Sequence, residues 1–163
     1  MITYQREEWQ DCLAEMEQLW PLHWEEVAAD KDVIPLEPNY EMYDWIDQNG
    51  QLHVVTVRCD GKLIGYHTSI VRPHLHYKSS LSAFTDMYFI HPDYRSAKGG
   101  RARRLCEFSK QAADSLGIPL IIGVLSNNRT EAKVRLYKRQ FGEPSGAFFL
   151  YNARTGGWKD AAE

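Results

Sequence analysis

Asp86-Met87-Tyr88-Phe89-Ile90-His91-Pro92-Asp93-Tyr94-Arg95-Ser96-Ala97-Lys98-Gly99-Gly100-Arg101-Ala102-Arg103-Arg104-Leu105 is the stretch whose reading decides the fold. It opens as a strand, because Met87 to Ile90 are apolar and bulky and Pro92 then bars further ladder pairing. It closes as a helix, with Leu105, Phe108, Ala112, Ala113 and Leu116 on one face. The loop between them carries two glycines and five cations: Arg95, Lys98, Arg101, Arg103 and Arg104. A glycine turn entering a helix leaves backbone N–H groups free where an anion is favoured. Solvated surface charge would explain the cations alone; the glycines with them point to a phosphate cradle. The nucleotide pattern G-x-x-x-x-G-K-S/T and the dinucleotide pattern G-x-G-x-x-G are both missing.

Upstream of this stretch the apolar period is two. Leu52 to Cys59 and Lys62 to Arg72 read as a hairpin about Asp60-Gly61, and Ser79-Ser80 turns into a third strand, Leu81 to Ile90. Before them the period is helical. Thr3 is expected to cap a first helix striped by Trp9, Cys12, Leu13, Met16, Leu19 and Trp20, with Pro21 ending it. A short helix over residues 22–29 and a third from Asn39 to Gln48 follow, with Pro35 and Pro38 in the loop between. Downstream, Gly117 and Pro119 stop the 101–116 helix, and Leu120 to Leu125 reads as a strand buried on both faces. Thr130 to Arg139 reads as a helix and Ala147 to Tyr151 as a last strand.

The 163 residues are enough for one domain with its own core; the expected domain is 1–151 with a frayed tail at 152–163. A 44% hydrophobic and 25% charged composition is that of a globular chain, and no apolar run reaches the ~20 residues of a membrane span. Three widely spaced cysteines, Cys12, Cys59 and Cys106, and no export signal point to the cytoplasm. The net charge of −3 hides an asymmetry: residues 1–50 hold thirteen of the 22 acids and only Arg6 and Lys31 as bases. Either a cationic ligand meets this half or its helix faces are simply solvated. His74 and His76 have a metal-compatible spacing but no third ligand, so no metal is expected. An acidic chain without a DNA-binding motif argues against nucleic acid.

The run "YFIHPDYR…GGRARRL" resembles the strand, His-Pro turn and pyrophosphate loop of the GNAT acetyltransferases, particularly small members from phage genomes. That loop follows Gln/Arg-x-x-Gly-x-Gly/Ala. The register keeping its glycine and small last residue is Ala97-Lys98-Gly99-Gly100-Arg101-Ala102, with Ala97 in place of Gln/Arg and Arg95 two residues early. Leu136-Tyr137-Lys138-Arg139-Gln140-Phe141-Gly142 is similar to the family's tyrosine stretch, with its last two positions swapped.

The resemblance, over about residues 20–150, implies an α+β (three-layer) acyl-CoA N-acyltransferase fold, a mixed and mostly antiparallel sheet flanked by helices. The family's usual first strand has no evident counterpart before Tyr4. The implied reaction is N-acetyl transfer from acetyl-CoA by direct attack of an amine, with a small molecule or protein as acceptor and a monomeric or homodimeric enzyme. The alternative is a non-catalytic scaffold of the same fold that binds acyl-CoA or a host protein. By the same resemblance Tyr88, Phe89 and Ile90 would pair with pantetheine through their backbones. Arg95 and residues Ala97, Lys98, Gly99, Gly100, Arg101 and Ala102 would hold phosphate, and Asn128 (or Asn127) a pantetheine or substrate group. Tyr137 would be the acid for the thiolate. The base is Asp86, His23 with Glu26, or a relaying water. Glu26 and Glu37 are expected on the acceptor side.

Overall fold

The computed structural model describes residues 1–28, 31–95, 100–125 and 130–146. Its sheet contains β1 (Ile2–Glu7), β2 (Leu52–Cys59), β3 (Lys62–His74), β4 (Tyr77–Ile90) and β5 (Leu120–Ile121), in that spatial order. The first four strands are antiparallel, and β5 runs parallel to β4. The helices are α1 (Trp9–Val27), α2 (Tyr40–Gln48), the single turn α3 (Pro92–Arg95), α4 (Arg101–Leu116) and α5 (Thr130–Phe141). This is the mixed, helix-flanked sheet expected. The expected strand from Ala147 and the tail from Asn152 lie outside the described residues.

Alternation along the strands splits the core in two. Leu52 and Val54 of β2, Tyr66 of β3 and Phe89 of β4 pack with Trp9, Met16, Leu19, Trp20 and Ile46 from α1 and α2. Val55 and Val57, Ile64 and Ile90 pack with Leu105 of α4. Gly65 is required where β3 crosses β4, since a Cβ there would lie 2.6 Å from the Phe89 carbonyl oxygen.

Four expectations are corrected. Thr3 does not cap a helix: it sits in β1 opposite Arg58, so the first strand is present before Tyr4 and beyond it. Ile2 and Tyr4 alternate onto the α4-side core, and Arg58 pins the strand by a bidentate bond to Glu7 at 2.7–2.8 Å. Pro21 does not end α1, which continues to Val27. A proline interrupts a helix at about 3 kcal/mol, but Trp20 before it and His23 after it are held by tertiary contacts. The turn before β4 is at Leu75-His76 rather than Ser79-Ser80. Among the described residues, the strand expected over Leu120 to Leu125 pairs only at Leu120 and Ile121, opposite Ala83 and Phe84.

Candidate active site

The early end of β5 pairing opens the sheet. Beyond Phe84 and Ile121, β4 has no partner on that side among the described residues, and Gly123, Val124 and Leu125 diverge to line a cleft of about 880 Å³. His91 donates its backbone N–H to Ile64 of β3 at 2.8 Å. By strand alternation the Ile90 carbonyl therefore points away from β3, where Arg95 Nε meets it at 2.5 Å. Two residues back, the N–H and C=O of Tyr88 face the same open side. An extended polar chain would find an unused strand edge there.

A β-bulge between Thr68 and Ser69 leaves Asp86 as the extra residue of β4. A bulge re-aims a side chain, and this one is locked: Met87 donates its N–H to Thr68 Oγ1 at 3.1 Å, and Thr68 Oγ1 donates to Asp86 Oδ2 at 3.2 Å. Tyr43 of α2 donates to the same oxygen at 2.7 Å. Oδ1 has no partner among the described residues, and Asp86 lines the cleft. Burial, then the neighbouring Asp86 charge and hydrogen bond, push the Tyr43 phenol far above its ordinary range, so it stays a donor.

Tyr137 of α5 reaches the same cleft. Its ring is buried and meets Tyr88 edge-on at 6.0 Å, and its hydroxyl has no hydrogen-bond partner among the described residues. Burial raises this phenol above the usual range, so it is un-ionised at neutral pH. His23 also lines the cleft, with Nδ1 3.0 Å from Tyr66 Oη and its ring stacked on Phe89. Burial lowers His23 to about 4, which makes it a neutral and weak base.

Thr85 was not singled out by sequence, yet it lines the cleft and is held from behind. Ser109 donates to the Leu105 carbonyl at 2.8 Å, so it accepts from His67 Nδ1, also at 2.8 Å. His67 Nε2 then accepts from Thr85 Oγ1 at 2.9 Å. This assignment of tautomer follows from the network. It leaves the Thr85 oxygen turned into an acceptor for whatever enters the cleft.

The glycine loop is partly described. Gly100 is left-handed (φ 59°) at the N-cap of α4 and provides no side-chain cap, so the first-turn N–H groups of Arg101 and Ala102 stay available to an anion. The cations divide. The Arg104 guanidinium has no hydrogen bond or ion pair among the described residues, whereas Arg103 pairs with Glu107 and Arg101 with the Tyr94 carbonyl. Arg95 turns inward, over Phe89 and onto Glu26. Ala97, Lys98, Gly99 and Asn128 lie outside the described residues. Glu26 is thus engaged with Arg95, and Glu37 lines the cleft mouth in the 33–38 loop. Cys12 and Cys106 are buried, and burial raises their thiols to about 12 and about 11, which suits packing rather than nucleophilic work. Among the described residues no group of His, Cys, Asp or Glu could hold a metal.

A family model described as acetyltransferase (GNAT) family matches residues 9–142. The chain belongs to the GNAT acetyltransferase family. A GNAT enzyme draws its acetyl group from acetyl-CoA and passes it to an amine, and in this chain Asp86 and Tyr137 line one cleft. Solved structures share the fold. A ribosomal-protein-alanine N-acetyltransferase from Brucella melitensis biovar Abortus 2308 is 15% identical, with a TM-score of 0.69 over 93% of this chain and 97% of that one. An aminoglycoside 6'-N-acetyltransferase from Acinetobacter baumannii is 14% identical, with a TM-score of 0.64 over 96% and 100%. An acetyltransferase from Clostridium acetobutylicum, solved with acetyl-CoA, is also 14% identical, with a TM-score of 0.64 over 93% and 96%. No curated protein matches this GNAT chain.

Proposed function

We propose that Asp86 receives the acceptor amine and its proton, and that Tyr137 supplies the proton to the departing thiol, in an acetyl-CoA-dependent N-acetyltransferase. The observation that carries this reading is the pair of unengaged atoms on one cleft, Asp86 Oδ1 and Tyr137 Oη. Acetyl-CoA supplies the activated acyl group. The Tyr88 backbone edge orients its arm, and the N-terminus of α4, with Arg104, holds its phosphates. An ammonium must lose a proton before it can attack, and a carboxylate in hydrogen-bond reach accepts one. Tyr43 and Thr68 on Oδ2 hold that carboxylate in place, so its free oxygen is pre-aimed. The un-ionised Tyr137 has a proton to give at neutral pH. Three unpaired cysteines support a cytoplasmic location.

Thiol release from acetyl-CoA, followed against a panel of amines, tests the reading. Amine-dependent release that falls in Asp86→Asn supports it. Release that is absent with every amine, with acetyl-CoA binding intact, would remove it in favour of a binding scaffold.

A further inference from the structure

Of the described acids in residues 1–50, Glu37 alone lines the cleft. The others are spent elsewhere or face outward: Glu7 and Glu15 on Arg58, Glu25 on Lys31, Glu26 on Arg95. The described lining thus offers two carboxylates, Asp86 at the bulge, where Tyr43 and Thr68 hold it, and Glu37 at the mouth, with Lys133 in the same lining. Each ammonium of a polycation brought into a partly dehydrated cleft needs a counter-charge or loses its hydration without return. Only Asp86 is fixed in place by hydrogen bonds, from Tyr43 and Thr68, and its one open oxygen suits one ammonium, while Glu37 is exposed on the 33–38 loop.

The remaining wall is apolar. Trp24, Tyr43 and Ile70 line it, and at the mouth Ile34, Leu36 and Met42 combine cleft contact with exposures of 41%, 40% and 51%. Apolar side chains concentrated at a cleft and left in water mark surface that a ligand covers. The cleft volume is that of a small-molecule site.

We propose that the acceptor is a small primary monoamine carried on an apolar or aromatic body, its ammonium on Asp86 Oδ1 and its body against Trp24, Ile34, Leu36 and Met42. The proposal rests on the acetyl-transfer reading above. It narrows the acceptor within it: the charge asymmetry of the chain is not the specificity, and the apolar mouth is. In the reaction the amine nitrogen forms a bond to the acetyl carbon as the carbon–sulfur bond breaks. One ammonium proton goes to Asp86 before attack, Tyr137 protonates the departing thiolate, and the second nitrogen proton, released as the amide forms, restores the Tyr137 hydroxyl.

Two measurements on the full chain decide it. In thiol release, kcat/KM should rise about 10²-fold from ethylamine to n-hexylamine or 2-phenylethylamine, since each of the four methylenes added in n-hexylamine contributes about fourfold when buried. Spermidine should do no better than ethylamine. Leu36→Ser and Met42→Ser should shrink the hexylamine-to-ethylamine ratio about tenfold. In parallel, tryptophan fluorescence of the CoA-loaded protein, with Trp20 and Trp24 in the lining, reports 2-phenylethylamine binding without turnover. Binding of 2-phenylethylamine with no turnover of any amine would sink the transfer reading and leave standing only the apolar amine site. Turnover in which ethylamine, spermidine and hexylamine are equal, or spermidine is favoured, would overturn the inference and leave the transfer reading intact.

Discussion

Tyr43 on α2 donates a 2.7 Å hydrogen bond to the Asp86 carboxylate at the β4 bulge, joining a helix and a strand residue 43 positions apart. This bond does two jobs. It docks α2 against the open part of the sheet, and it occupies one carboxylate oxygen so that the other faces the cleft. The pair can be separated by substitution. Asp86→Asn keeps the shape and removes the proton acceptor, so kcat/KM should fall ~10²–10⁴-fold while acetyl-CoA affinity holds. Tyr43→Phe loses one hydrogen bond to a charged group, with Thr68 still in place, and about a tenfold loss is expected. Steady-state thiol release with calorimetric acetyl-CoA titration gives both numbers. A Tyr43→Phe loss as large as that of Asp86→Asn would mean that Tyr43 itself, not the carboxylate it positions, handles the amine.

Tyr137→Phe preserves the edge-on packing against Tyr88 and Phe141 and removes only the hydroxyl. Turnover should drop ~10²-fold or more, with little change in thermal midpoint. Because burial raises this phenol above its ordinary value of 10.0, it keeps its proton through the neutral and mildly alkaline range. The wild-type kcat profile should therefore show no alkaline fall from this residue below pH 10. Identical kcat values for wild type and Tyr137→Phe would take the hydroxyl out of the reaction.

Gly100 takes a left-handed conformation that β-branched residues adopt only with strain, and a Cβ there would meet Arg103 Nε at 3.3 Å. Gly100→Val should weaken acetyl-CoA binding about tenfold by displacing the first turn of α4, at an energetic cost of about 1–2 kcal/mol. Arg103→Ala removes a cation already paired to Glu107 on the exposed surface and should change affinity less. The reverse ranking in calorimetry would show that side-chain charge, rather than backbone approach, holds the phosphates.

The strand and helix that flank the glycine loop, and the helix that carries Tyr137, were legible because each is written in contiguous residues. Residues 1–7 were misread because a short alternation, Ile2 then Tyr4, precedes a much stronger helical stripe, and its partner strand begins 45 residues later at Leu52. Pro21 misled because helix propensity yields to burial on either side of it. Arg95 has the composition of a phosphate ligand, but its neighbour in space is Glu26, on the helix beyond Pro21. The bulge that aims Asp86 comes from a register slip against Thr68 and Ser69, and no spacing within β4 encodes it. For the same reason Thr68, Thr85 and His67 drew no notice: their roles are defined across strands.

His67 yields the last prediction. It is buried on β3, and burial lowers it to about 4 from an ordinary 6.5. With the pKa depressed in the folded state, the unfolded chain takes up the proton first as pH falls. The stability contributed by a neutral His67 is complete above about 6.5 and is lost progressively toward 4. His23, likewise lowered to about 4 by burial, adds to the same window. Between pH 7 and 5 the two should cost on the order of 1–2 kcal/mol each, read as a fall in the urea midpoint. A proton on His67 Nε2 would also turn that atom from acceptor to donor and push away the Thr85 hydroxyl proton, so the cleft wall changes together with stability. His67→Asn should be less stable at pH 7 yet lose less on going to pH 5. A variant with the same midpoint shift between the two pH values as the wild type would show that His67 is not held neutral, and the donor order from Ser109 to Thr85 would fall with it.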